Sequence, residues 1–186
     1  MKRDFKNFLK KAWYFIWYDD SLLSWFLNVI IAFILVKFII YPGIGLILGT
    51  SHPLVAVVSC SMDHNADFEN WWQANGKWYE DSGITKKEFS EFSFKNGINQ
   101  GDIMVLKNND NIGAGDVIVF NGRGNPIIHR VIEENEQGFR TKGDNNPVSD
   151  IEITNSLIGK AVFRIPYLGW IKIAFNGLIG QGIIKC

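Results

Sequence analysis

Two serines flank a cysteine in "VVSCSMDHN" (57–65), straight after a β-branched run and straight before a Met. A hydroxyl at the end of a buried strand is what an acyl-transfer enzyme needs as nucleophile. It also needs a base within hydrogen-bond reach, a group to orient that base, and donors aimed at the developing oxyanion. Ser61 is the candidate nucleophile. His129 lies in "PIIHRVI", where alternation puts it on one face with Ile127 and Val131, so it projects from a rigid strand. "TKGDNNPVSD" (141–150) offers two carboxylates, Asp144 and Asp150, in a loop dense in Asn, Gly and Pro. Each piece taken singly also has a plain reading as a polar turn, a satisfied strand histidine or an Asx-rich loop. Asp, His and Cys show no metal-ligand spacing, so neither metal nor cofactor is expected.

These residues need a frame. The chain has 186 residues, enough for one main domain plus an appendage. With 19 Lys and Arg against 19 Asp and Glu it has no positive field to draw it to nucleic acid, which is not expected as a partner. Two cysteines, Cys60 and Cys186, can pair in principle but make no disulfide framework.

From Leu22 to Tyr41 the chain is apolar apart from Ser24, Asn28 and Lys37, and a bilayer core needs about 20 helical residues, so residues 21–42 read as a transmembrane helix. Lys37 can extend its ammonium to the interface, and Pro42 with Gly43 is expected to end the helix. Lys2, Arg3, Lys6, Lys10 and Lys11 precede it, so the positive-inside rule puts residues 1–20 in the cytoplasm and the remainder on the outer face. A cleaved signal peptide fits less well, because the apolar run exceeds the usual h-region of about 7–15 residues and no small-x-small site follows. Phe5, Phe8, Leu9, Ala12, Trp13, Ile16 and Trp17 recur at helical spacing, which suits an amphipathic helix on the inner surface or a solvated helix end.

Beyond the anchor, short β-branched runs at 54–58, 103–106, 117–120 and 127–132, with a last one near 160–165, read as strands. "NGRGNP" (121–126) and "ENEQG" (134–138) have the turn chemistry to join neighbours as hairpins. The fold class is mainly β: an antiparallel sheet or partly open barrel over residues 43–166, with the N-terminal transmembrane helix. Residues 63–100 read as a partly helical insert with a capping box at Thr85 and Glu88. Its Trp71, Trp72, Trp78 and Tyr79 either form the insert's own core or meet lipid headgroups. Residues 167–186 are apolar again but interrupted by Lys172, Asn176, Gln181 and glycines, so an interfacial membrane-associated segment is favoured over a second span.

In order, "SCSM", "GDVIVF", "PIIHRVI" and "TKGDNN…SD" resemble the signature blocks of type I signal peptidases, in the branch found in archaea and the endoplasmic reticulum. The resemblance covers residues 20–166. Bacterial members use a Lys as general base, whereas this branch has a His in an "IxHRV" strand, the position of His129. The resemblance implies that Ser61 attacks the scissile carbonyl, that His129 accepts its proton, and that the Ser59 hydroxyl joins the Ser61 backbone N–H in the oxyanion hole. It favours Asp150 over Asp144 as the residue orienting His129, and leaves Lys142 a solvated turn residue. Three departures stand out. Cys60 replaces the usual Gly between the serines, and is expected to be a small packing residue or else a reactive thiol. His64 stands where the family has Pro, which makes it a rival base on a flexible segment. The spacing from Met62 to Gly101 is long for the family.

Ser61 lies about 20 residues past the expected helix end, close to the outer membrane surface where a signal peptide's apolar segment ends. The expected activity is removal of N-terminal signal peptides from exported precursors by a membrane-bound serine endopeptidase in a cell membrane or endoplasmic-reticulum-type membrane. Membrane lipid, precursor proteins and accessory secretion subunits are its expected partners. The two small-residue pockets of such a substrate site draw on Val55, Val57, Ile103, Val105 and Ile128 as candidates. The alternatives are a related membrane protease that processes other anchored precursors, or an inactive scaffold of the same fold.

Overall fold

The computed structural model describes residues 2–108, 111–122, 125–136, 138–150, 157–178, 180 and 186. The chain divides into two units, Met1–Ile47 and Leu48–Cys186.

In the first unit, α1 (Lys2–Tyr18) is followed by α2 (Leu22–Leu35), a π-helical turn (Val36–Ile40) and α3 (Tyr41–Leu48). The last three form one continuous apolar helix of 27 residues, long enough to cross a bilayer. It therefore runs through Pro42 rather than ending there. The five-residue π turn lies just before the proline, where a widened turn can absorb the ring and the missing N–H. The polar residues of the span also find partners: Ser24 Oγ donates to the Phe15 carbonyl (2.5 Å) and Asn28 Nδ2 to the Ile16 carbonyl (2.8 Å), satisfying orphan acceptors at the end of α1.

Among the described residues the second unit is built on an open, fully antiparallel sheet of six strands: β1 (Leu54–Ala56), β2 (Ile103–Lys107), β3 (Val117–Gly122), β4 (Asn125–Asn135), β5 (Gly138–Lys142) and β6 (Leu157–Ile165). Their spatial order is β1-β2-β6-β3-β4-β5, so β1 is an edge strand. β1 is three residues long, shorter than the apolar run from which it was expected. The β3–β4 hairpin is tighter than "NGRGNP" implied, since Asn121 pairs with Pro126 and Gly122 with Asn125, while residues 123 and 124 lie outside the described residues.

Residues 63–100 carry α4 (Phe68–Asp81) and α5 (Lys86–Glu91). Asp67 caps α4, and Thr85 with Glu88 closes the expected capping box on α5. Trp71, Trp72, Tyr79, Ile84 and Phe89 bury themselves against one another and against Ile132 of β4. The lipid-headgroup reading of Trp71, Trp72 and Tyr79 is thereby corrected, because their apolar area is spent on the insert's own core. A second cluster, with Val57, Met62, Met104 and Ile128, lies under the nucleophile segment. Past β6, α6 (Trp170–Leu178) is too short to span a membrane and exposes Ile171, Phe175 and Leu178.

Candidate active site

The nucleophile segment continues β1 into a turn. Val57 still exchanges backbone bonds with the β2 side, donating to the Asp102 carbonyl and accepting from Gly101 N–H, both at 2.9 Å. The Met62 side chain is fully buried and its carbonyl accepts from Ile98 N–H (2.8 Å). Ser61 is thus held between a strand end and a core anchor. Ser59 Oγ and Ser61 Oγ lie 3.3 Å apart. Asn145 ties the turn from the other side, its backbone N–H donating to the Ser61 carbonyl (2.8 Å) and its side chain to the Cys60 carbonyl (3.2 Å).

Cys60 is neither a packing residue nor a free thiol. It forms a disulfide with Cys186, 126 positions later. Pairing rather than packing accounts for a cysteine between the two serines, and the even count of two was its only sequence signal. Positive φ is confined, among described non-glycine residues, to Asn65, Phe94 and Tyr167, so Cys60 carries no left-handed backbone strain.

His129 is nearly buried on β4, opposite Ile118 of β3. Its Nδ1 is hydrogen-bonded to Asp150 Oδ2, which also accepts from Thr141 Oγ1 (2.8 Å). Asp150 N–H in turn donates to the Thr141 carbonyl (2.6 Å), so neighbouring β5 fixes both ends of this residue. Burial raises the Asp150 carboxyl, but the bonds from His129 and Thr141 outweigh it and hold the group below the usual carboxylate range. A carboxylate on Nδ1 selects the tautomer that leaves Nε2 free to accept a proton. His129 Nε2 and the Ser61 carbonyl oxygen both lie close to Gly143, where a Cβ would sit 2.8 Å from each.

Ser59, Ser61 and His129 line a cavity of about 290 Å³ whose other walls include Val55, Val57 and Ile128. Of the remaining pocket candidates, Ile103 lines a separate cavity of about 580 Å³ with Leu54, Leu168 and Phe175, and Val105 lines neither.

Asp144 belongs to a different set of contacts. Fully buried, it accepts from Arg130 Nε (2.9 Å) and Nη2 (2.7 Å), from Tyr79 Oη (2.9 Å) and from His64 Nε2 (3.1 Å). Burial opposes ionisation of Asp144, yet the Arg130 guanidinium and the bond from His64 overcome it and keep the carboxyl far below its ordinary range. The reading of Asp144 as an alternative orienter of His129 is corrected, since its carboxylate is committed to Arg130 on the other face of β4. His64 is not a rival base either: its ring is buried, stacked on Trp71 at 3.7 Å and bonded to Asp144. Lys142, expected in solvent, is 1% exposed and donates to the Gly143 and Asp144 carbonyls (3.0 and 3.2 Å) between the Trp78 and Tyr79 rings. Its burial lowers the ammonium pKa to about 8. Thr141, Gly143 and Asn145 escaped the sequence reading. Arg130 had a visible signal, a cation inside the apolar strand "IIHRVI".

Residues 88–162 match the family Peptidase S24-like. The signal peptidase complex catalytic subunit SEC11C of Homo sapiens is 35% identical over 102 residues, covering 45% of this chain and 53% of that protein, and the same figures hold for SEC11C of Canis lupus familiaris. The catalytic subunit SEC11 of Scheffersomyces stipitis is 28% identical over 153 residues, covering 73% of each chain. The chain spans about half the length of the mammalian relatives it matches. Together the family match and these relatives support the type I signal peptidase branch that the sequence blocks resemble.

Proposed function

We propose that this chain is a membrane-anchored serine endopeptidase that removes signal peptides from precursor proteins, with Ser61 as nucleophile, His129 as general base and Asp150 orienting the base. The observation that carries the reading is that Ser61 and His129 line one largely apolar cavity while Asp150 holds His129 Nδ1, leaving the other ring nitrogen for the nucleophile's proton. In the first step Ser61 Oγ attacks the scissile carbonyl carbon while its proton passes to His129 Nε2. Asp150 stabilises the imidazolium, and Ser59 Oγ with the Ser61 N–H receives the oxyanion. As the C–N bond breaks, His129 returns the proton to the leaving amine. A water then attacks the Ser61 ester while its proton passes to His129; the C–Oγ bond breaks, His129 returns the proton to Ser61 Oγ, and the former signal segment leaves as a carboxylic acid that ionises in solution.

Edge strand β1 suits an extended substrate, whose backbone bonds to a free edge supply register independent of sequence. The small cavity beneath suits short side chains before the cut. The basic residues before the apolar helix and the Cys60–Cys186 disulfide both support a catalytic unit on the non-cytoplasmic, oxidising side. The exposed apolar face of α6 supports contact of residues 167–186 with lipid, and the relatives' designation as subunits of a complex supports accessory subunits here. The test is incubation of the purified chain in lipid vesicles with a signal-peptide-bearing precursor, followed by mass spectrometry of the product. A single cut at the end of the signal segment after small residues supports the reading. Cleavage only of other anchored precursors assigns the site a different membrane substrate.

A further inference from the structure

We propose that the α4–α5 insert is a positioning device for Ser61 and His129, acting through His64 and Tyr79 on the Asp144 carboxylate. The inference rests on the catalytic reading just given. Asp144 is the point where the insert, the base strand and the nucleophile turn meet. Tyr79 comes from α4, and His64 enters the insert three residues after Ser61. Arg130, the chain neighbour of His129, binds Asp144 with two nitrogens and gives its other donors to the Ser93 and Phe94 carbonyls of the insert (2.8 and 3.1 Å) and to Gly115 (2.9 Å). Asn145, next to Asp144, holds the carbonyls of Ser61 and Cys60.

Displacing the Asp144 carboxylate therefore moves Ser61 through Asn145 and His129 through Arg130. Its four donors leave it one position. The His64 ring is itself immobilised. It lies parallel to Trp71 within 1°, and Gly97, at φ +78°, leaves no room for a Cβ, which would come 2.7 Å from His64 Cδ2. Among the described residues His64 Nδ1 has no hydrogen-bond partner, which favours the tautomer whose proton is on Nε2, donated to Asp144. His64 is thus a donor that positions a carboxylate, and its chemistry is used up there.

The test uses the full chain, two variants that keep a ring and one that returns a donor without it. His64→Phe preserves the stack on Trp71 and removes the donor, Tyr79→Phe removes only the hydroxyl, and His64→Gln restores a donor near the Nε2 position. Wild type and Ser61→Ala establish first whether precursor cleavage belongs to this site. Each Phe variant is expected to lower kcat roughly 10- to 150-fold, the range one lost bond to a charged acceptor implies, with KM within about twofold of wild type. His64→Gln should recover most of the loss, and the double Phe variant should lose less than the product of the two, because both act on one carboxylate. In parallel, the proton NMR resonance of His129 Nδ1–H should shift in both Phe variants and return in His64→Gln, a readout independent of turnover. Unchanged His129 resonances in both Phe variants overturn the proposal, as does a kcat that follows only the fraction folded. Loss of cleavage in none of the chains, Ser61→Ala included, sinks the catalytic reading instead, and the resonances then decide the positioning role alone.

Discussion

Replacing Cys60 and Cys186 together by serine removes a cross-link that closes a loop of 126 residues. The chain-entropy relation puts the lost stabilisation at about 5 kcal/mol at 25 °C, a ceiling, because relaxation of the native state reduces it. For a unit of this size that corresponds to a melting temperature lower by roughly 10–20 °C. A second effect is local, since Cys60 separates Ser59 from Ser61 and freeing its sulfur loosens the turn that holds both hydroxyls. Thermal unfolding of the detergent-solubilised full chain, followed by near-UV circular dichroism with and without a thiol reductant, reads the first effect. Mass spectrometry after alkylation counts the sulfurs released. The reasoning is refuted if both cysteines alkylate without reductant, or if both are reduced and alkylated while the melting temperature stays put.

Gly143→Ala introduces a Cβ at 2.8 Å from both His129 Nε2 and the Ser61 carbonyl, and is expected to lower kcat by about 10- to 100-fold. Gly113→Ala, whose Cβ meets nothing within 4 Å, should leave turnover and melting unchanged. Asp150→Ala should lower kcat by roughly 10³- to 10⁴-fold in a folded protein, as loss of a base-orienting carboxylate does. Asp144→Leu should destabilise by about 3–5 kcal/mol, because it strands the buried Arg130 guanidinium, and also lower kcat of the folded fraction, so denaturant titration separates it from Asp150→Ala, which lowers kcat alone. Lys142 supplies a pH dependence: folded, it titrates near 8 instead of 10.5, so between those values the unfolded chain binds more protons and folding stability should rise with pH. Denaturation midpoints measured from pH 7.5 to 10.5 should show that rise in wild type and a flatter limb in Lys142→Met.

Local pattern accounts for much of the fold. The apolar span, the β-branched runs around Ile118 and Ile128, and the capping box at Thr85 each form where their own residues direct, because helix caps and strand alternation are short-range properties. Pro42 was misread because the relief for a helix proline lies upstream, in the π turn at Val36–Ile40. At the site, Ser61, His129 and the two aspartates stand out in the sequence and the preference for Asp150 over Asp144 comes from the family resemblance alone, while the partners of Asp144 are not legible. Which face of β4 each carboxylate meets depends on Arg130 pairing with Lys142 across the β4–β5 ladder, and on an insert whose aromatics close over that side. Lys142 and His64 were placed in solvent or on a flexible segment for the same reason, since only tertiary packing supplies the rings of Trp71, Trp78 and Tyr79 that enclose them. The disulfide joins the two ends of the catalytic unit's sequence, a separation at which spacing carries no signal.

Cleavage of a signal-peptide-bearing precursor by vesicles containing wild type, Ser61→Ala or His129→Ala, each quantified as folded protein in the membrane, tests the central claim most directly. The account predicts processing by wild type and a loss of roughly 10³-fold or more in each variant, with the double variant no worse than either alone. Undiminished processing by Ser61→Ala would contradict it.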